Sequence, residues 1–222
     1  MKEEPQSLHW SHEQITVHSG IPKVNGHKVY HPHLSSDRNH DQQIVAIAIN
    51  TIIDHSTTLY EAEAEADIIL IESDNAVQYK YIQHFHEIQK TSNRVNKPII
   101  RIYGIAQHGK GEVDHVGGIA KNVLRTAIAE GHFFQNVGQM ADYLHNKFSC
   151  HTHPEYHVEL IEEEDIEAAR NFSSKYAYGR IDGASAYQVV VFTPNSATIK
   201  TAPRICIYEK CEVSYGSCEL FT

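Results

Sequence analysis

Residues 108–118 read HGKGEVDHVGG, which sets two carboxylates (Glu112 and Asp114), two histidines and Lys110 among four glycines. A turn needs one glycine, or two. Gly109, Gly111, Gly117 and Gly118 together imply either positive φ angles or the close approach of something to the main chain. Carboxylates with a lysine on such a loop suit a divalent cation or a phosphate, since Mg²⁺ and Mn²⁺ take oxygen ligands, keep several waters and accept substrate phosphates. A generous strand-to-helix connection has the same composition, and both readings stay open on these residues alone.

A further acid, Asp74, closes the apolar run in ADIILIESD. In open α/β sheets ligands collect beyond the carboxyl ends of the strands. Asp74 and the 108–118 loop, which follows the apolar run KPIIRIYGI, are therefore expected on one rim. Past the loop, Asp114, Gly118, Lys121 and Arg125 fall at i, i+4, i+7 and i+11, a polar stripe of an acid, a bare patch and two cations on one side of a helix. A backbone phosphate could lie along it. An ordinary solvent face, with its Asp near the positive helix N-terminus, has the same spacing and is the simpler account. HGKG is no Walker motif, because the six-residue frame and the following Ser/Thr are absent.

The elements that would position these residues follow from periodicity. EQITVHSGI and NGHKVYHPHL alternate as two strands joined at Pro22–Gly26, where Asn25-Gly26 is a turn signal. Ile44, Ile47, Ala48 and Ile52 have helical spacing after Asp41, an N-cap residue. Strands are expected at 66–73 and 98–105, each followed by a helix. The first of these helices carries Val77, Tyr81, Phe85 and Ile88 on one face, and the second runs to about Glu130 with Val113, Val116, Ala120, Val123, Ala127 and Ile128 as its apolar side and Gly131 as its stop. VGQMADYLHNKF reads as a further helix. The order β-β-α-β-α-β-α predicts a mixed sheet flanked by helices, with a hairpin that is antiparallel and a βαβ portion that is parallel. A soft boundary near residue 150 divides 1–148 from a small α+β extension, 149–222, with the acidic helix EEEDIEAARNF and strands in YQVVVF and ATIKTAPRICIY.

Composition narrows the function classes. The chain has 222 residues, 41% of them hydrophobic, enough for a substantial core. A formal charge of −9 argues against indiscriminate coating of nucleic acid. The sign is uneven: from Asp74 to Arg125 eight Lys/Arg face four acids. No run approaches the length of a membrane span, and MKEEPQ lacks a signal-peptide core, so an intracellular protein with no membrane partner is expected. The histidines carry little signal: His84 and His86 lie two apart on a helix and cannot share a face, while His31, His33 and His40 show no closed ligand pattern. Near the end, Cys206, Cys211 and Cys218 are spaced more loosely than structural zinc pairs. Zn²⁺ there, with Cys150, His151, His153 or His157 as fourth ligand, is weighed against small reduced thiols on strands, which are commoner.

ESDNAVQYKY followed by IYGIAQHGKGEVDHVGGIAKNVLR resembles a group of animal proteins whose core reads SDGxxxQ(F/Y)K, then HGKGxxDGxGGxxKxxxR. That group looks like a divergent branch of the DDE-type transposase and integrase superfamily with the ribonuclease-H fold, and the likeness covers most of residues 6–148. The resemblance implies two-metal phosphoryl transfer on DNA, with Mg²⁺ or Mn²⁺ held by Asp74 and Asp114 as the second and third acids and Glu112 as the fallback. It also implies phosphate contacts from Gln78, Lys80, Lys110, Lys121 and Arg125, nuclear residence, and room for a homo-oligomer. One departure bears on activity: the superfamily's first acid lies on a strand immediately before the hairpin, and here only Glu3, Glu4 and Glu13 stand in that region, none of them in an apolar strand. The expectation is therefore a transposase-derived protein, truncated or decayed, with weak or no strand cleavage. The alternatives are a non-catalytic DNA- or protein-binding module on the same fold, and an unrelated metal-dependent hydrolase.

Overall fold

The structure is a computed structural model that describes residues 15–24, 27–37, 39, 41–59, 67–74, 76–104, 111–149, 156–174, 188–202 and 216–219. Its strands form mixed α/β architecture, but as separate sheets rather than the single mixed sheet expected. β1 (Thr16–Gly20) and β4 (His31–Ser35) pair antiparallel with Val17 opposite Leu34, as the opening alternation predicts. The short strands β2 (Lys23–Val24) and β3 (His27–Lys28) form a small hairpin in their connection, and the Asn25-Gly26 turn lies outside the described residues. β7 (Glu159–Leu160) joins β4 in parallel.

In the second sheet, β5 (Ile69–Ser73) and β6 (Ile99–Tyr103) are the parallel pair that strand-helix alternation predicts. β8 (Val189–Phe192), β9 (Thr198–Ala202) and β10 (Gly216–Glu219) continue from β6 antiparallel, giving the order β10-β9-β8-β6-β5. The stretch after residue 150 thus completes both sheets. Among the described residues β1 and β5 are both edge strands, so the hairpin and the βαβ portion do not pair with each other.

Helix α1 (Gln42–Leu59) links the two sheets from beneath. Asp41 starts it, its carboxylate accepting the N–H groups of Gln43 and Ile44, each at 3.2 Å. On one flank β1 lies so near that a Cβ on Gly20 would come within 2.2 Å of Ile52 Cδ1. On the other, Ile53 joins Phe85, Ile88, Ile99, Val190, Phe192 and Ile199 in the core under the second sheet. Each such side chain contributes about 1.5–3 kcal/mol by leaving water.

Helix α2 (Ile82–Val95) starts later than its pattern predicts. Val77 belongs to a 3₁₀ turn, Val77–Lys80, and extended backbone at Tyr81 (ψ 144°) separates the two. Phe85 and Ile88 are buried as expected, whereas Tyr81 stays 45% exposed. His84 and His86 are both buried, because this helix is covered on more than one side. Helices α3 (Glu112–Ala129) and α4 (Val137–Ser149) close the other core against the first sheet, through Leu34, Val116, Ala120, Leu124, Leu144 and Phe148. Val113 and Ile128, expected on the apolar side of α3, are exposed, since the buried stripe runs through Leu124 instead. Helix α5 (Glu163–Ser174) packs Ile166 against Ile44 and Ala48 of α1. Arg170 fastens it by donating from Nη1 to Asp37 and from Nε to Asp41 at 2.8 Å.

Candidate nucleic-acid interface

The outer face of α3 carries the polar stripe read from the sequence. Its inner face is committed to the core, and at Gly117 a Cβ would stand 3.0 Å from Ser19 Oγ of β1. Close helix-to-strand packing therefore accounts for one of the loop's four glycines. Gly118 faces open space, with nothing within 4 Å of a Cβ placed there. Beside it Lys121 and Arg125, one turn apart, are exposed and make no ion pair or hydrogen bond among the described residues.

The acids of α3 have local work. Asp114 is exposed and accepts the Gly111 N–H at 3.4 Å, half of a capping box, Gly111 having no side chain to return the bond. Glu112 accepts from Lys28 Nζ at 2.6 Å and from Tyr30 OH at 3.0 Å. Those bonds, the lysine's first, hold its carboxyl below the ordinary range. The same bridge ties the β2–β3 hairpin to the start of α3.

Asp74 stands at the end of β5 in the other sheet, exposed, with its carboxylate accepting the Ala76 N–H at 3.1 Å. No hydrogen bond or ion pair among the described residues joins Asp74, Asp114 and Glu112 to one another, and none of them shares a polar partner with another. Among those residues no group of three or more His, Cys, Asp and Glu is arranged to hold a metal ion. Lys110 falls outside the described residues, as do Cys150, His151, His153, Cys206 and Cys211 and the side chain of Cys218.

Next to Asp74 the site is cationic. Arg101, at the centre of β6, is completely buried; its Nη2 donates to Ser73 Oγ at 3.0 Å, and its guanidinium lies 5.3 Å and 5.4 Å from the ring centres of Tyr79 and Tyr103. Among the described residues Nε and Nη1 have no hydrogen-bond partner, and no carboxylate pairs with the guanidinium. Lys80, only 9% exposed, holds its ammonium 5.0 Å from the Tyr103 ring, and burial lowers its pKa. It is not presented to solvent as Lys121 and Arg125 are. Gln78 is half-buried in the same 3₁₀ turn. Burial, then the charge of Asp74, raises the pKa of Tyr79.

A family model described as a domain of unknown function (DUF8701) matches residues 1–202. The chain belongs to this family. No curated protein and no solved structure matches it. In this DUF8701 chain no described helix is long and apolar enough to cross a membrane.

Periodicity did not single out Arg101. It occupies an inward position of an otherwise apolar strand, IIRIY, and a charged residue there was the available signal. A second group that went unmarked is a cluster of imidazoles on β4, α1 and the approach to β7. His31 and His33, which showed no closed ligand pattern in the sequence, are buried on a strand.

Proposed function

We propose that this chain is a transposase-derived protein of the DDE type that engages the DNA backbone through the exposed face of α3 without cleaving it. The observation that carries the reading is the pair Lys121 and Arg125, exposed and, among the described residues, without an ion pair, beside the open patch at Gly118. The three acids are engaged locally, which favours contact over catalysis.

Fluorescence anisotropy with a short labelled duplex across a salt series tests the proposal. The chain is expected to bind with an affinity that falls as salt rises, and Lys121→Glu with Arg125→Glu is expected to flatten the log–log slope by about 1.8, or about 0.9 for each phosphate no longer neutralised. Absence of salt-dependent binding, or binding unaffected by the double variant, overturns it. Mg²⁺-dependent cleavage abolished by Asp74→Asn would overturn the non-cleaving part.

A further inference from the structure

Three imidazoles from three separate elements meet on the α1 side of the first sheet. His31 is on β4, His55 is in the last turns of α1, and His157 lies just before β7, where its N–H donates to Tyr30 O at 2.8 Å. Strand alternation places them together. His33 pairs with Glu159 in the parallel register of β4 and β7, so His31 and His157, each two residues earlier, share the face of that pair. Leu34 points the other way, into the core beneath α3 and α4.

We propose that His31, His55 and His157 form a binding site for a divalent transition metal of the Zn²⁺ class, independent of the α3 surface. The distances carry the argument. Imidazole nitrogens bound to one tetrahedral ion at about 2.0–2.1 Å stand about 3.3 Å apart, with ring centres about 5 Å apart. His31 Nε2 and His55 Nδ1 are 3.1 Å apart. Ring centres are separated by 4.7 Å for His31 and His55 and by 5.5 Å for His31 and His157. The remaining pair, His55 and His157, is tighter at 3.9 Å and must open by about 1 Å to enclose an ion, and among the described residues no group of three is already arranged to hold one.

That opening costs little, because His55 and His157 are both half-exposed and turn about their own side-chain bonds, while His31 is fully buried and fixed. The same half-exposure gives the ion a path from solvent. Glu159 lies on the same face of the strand pair as His31 and His157. Without a metal the His31–His55 contact is a single hydrogen bond, and His31 Nδ1 remains buried without a partner.

Titration of the full chain with Co²⁺, followed by the visible bands of tetrahedral nitrogen coordination and then by displacement with Zn²⁺, tests this. A stoichiometric site is expected. His55→Ala and His157→Ala, at half-exposed positions, should each weaken it at least about tenfold with circular dichroism unchanged, while His115→Ala on α3 leaves it intact. Zn²⁺ should also raise the thermal midpoint of the native chain and not that of the His55→Ala/His157→Ala double variant. Weak, superstoichiometric uptake alone, or a tight site that survives the double variant, overturns the assignment.

Discussion

Arg101 is the residue whose replacement best tests the physical account of this fold. A guanidinium buried without a carboxylate bears a desolvation penalty of several kcal/mol. Against it stand one charged hydrogen bond to Ser73, worth about 1.5–3 kcal/mol, and two aromatic faces, each worth about 2 kcal/mol when desolvated. These terms nearly cancel. Arg101→Met keeps the length of the side chain and removes both the charge and the orphaned donors, so it should leave stability unchanged or raise it by up to about 3 kcal/mol. Arg101→Ala removes the packing as well and should cost about 2–4 kcal/mol. Urea denaturation of the three proteins, read as the midpoint at constant slope, gives both numbers. If Arg101→Met lost more than about 2 kcal/mol, the guanidinium would be a net stabiliser and the near-cancellation of these terms would fall.

Other consequences follow from the same structure. His84 is fully buried, and burial, then the nearby Arg101 charge, holds its pKa well below 6.5. As pH falls below 6.5 the unfolded chain gains a proton that the native chain refuses, so stability declines; His84→Leu should remove about 1.4 kcal/mol per pH unit of that decline, seen by denaturation at pH values on either side of 6.5. Arg170→Met should cost about 1–3 kcal/mol at neutral pH by releasing Asp37 and Asp41. The bond from Arg170 holds the Asp37 pKa below 3.8, so this cost is present above that value and should vanish as pH falls through the lowered pKa, a trend measurable by thermal melts of both proteins. Gly118→Ala, in open space within a helix, should stabilise the chain by about 0.5–1 kcal/mol in the same melts and yet weaken DNA binding in the anisotropy assay, whereas an unused surface would show only the gain.

Local pattern was enough for several of the elements themselves. Asp41 announced the start of α1, Gly131 (φ 95°) the end of α3, and the alternation of residues 16–20 and 31–35 an antiparallel pair, because capping, turn chemistry and pleat depend on neighbours in the chain. The cationic stripe of α3 was legible for the same reason: helical spacing fixes which residues share a face. Which strands pair is decided by contacts far apart in sequence. Nothing local in Val189–Phe192 says that it lies beside Ile99–Ile102, or that β1 and β5 remain edges, so the expected single sheet became two. The partners of the acids were likewise set in three dimensions, Glu112 meeting Lys28 and Tyr30 from across the chain. The convergence of His31, His55 and His157 had no signature in spacing at all, since a strand, a helix and a distant connection brought them together only by packing on α1 and β4.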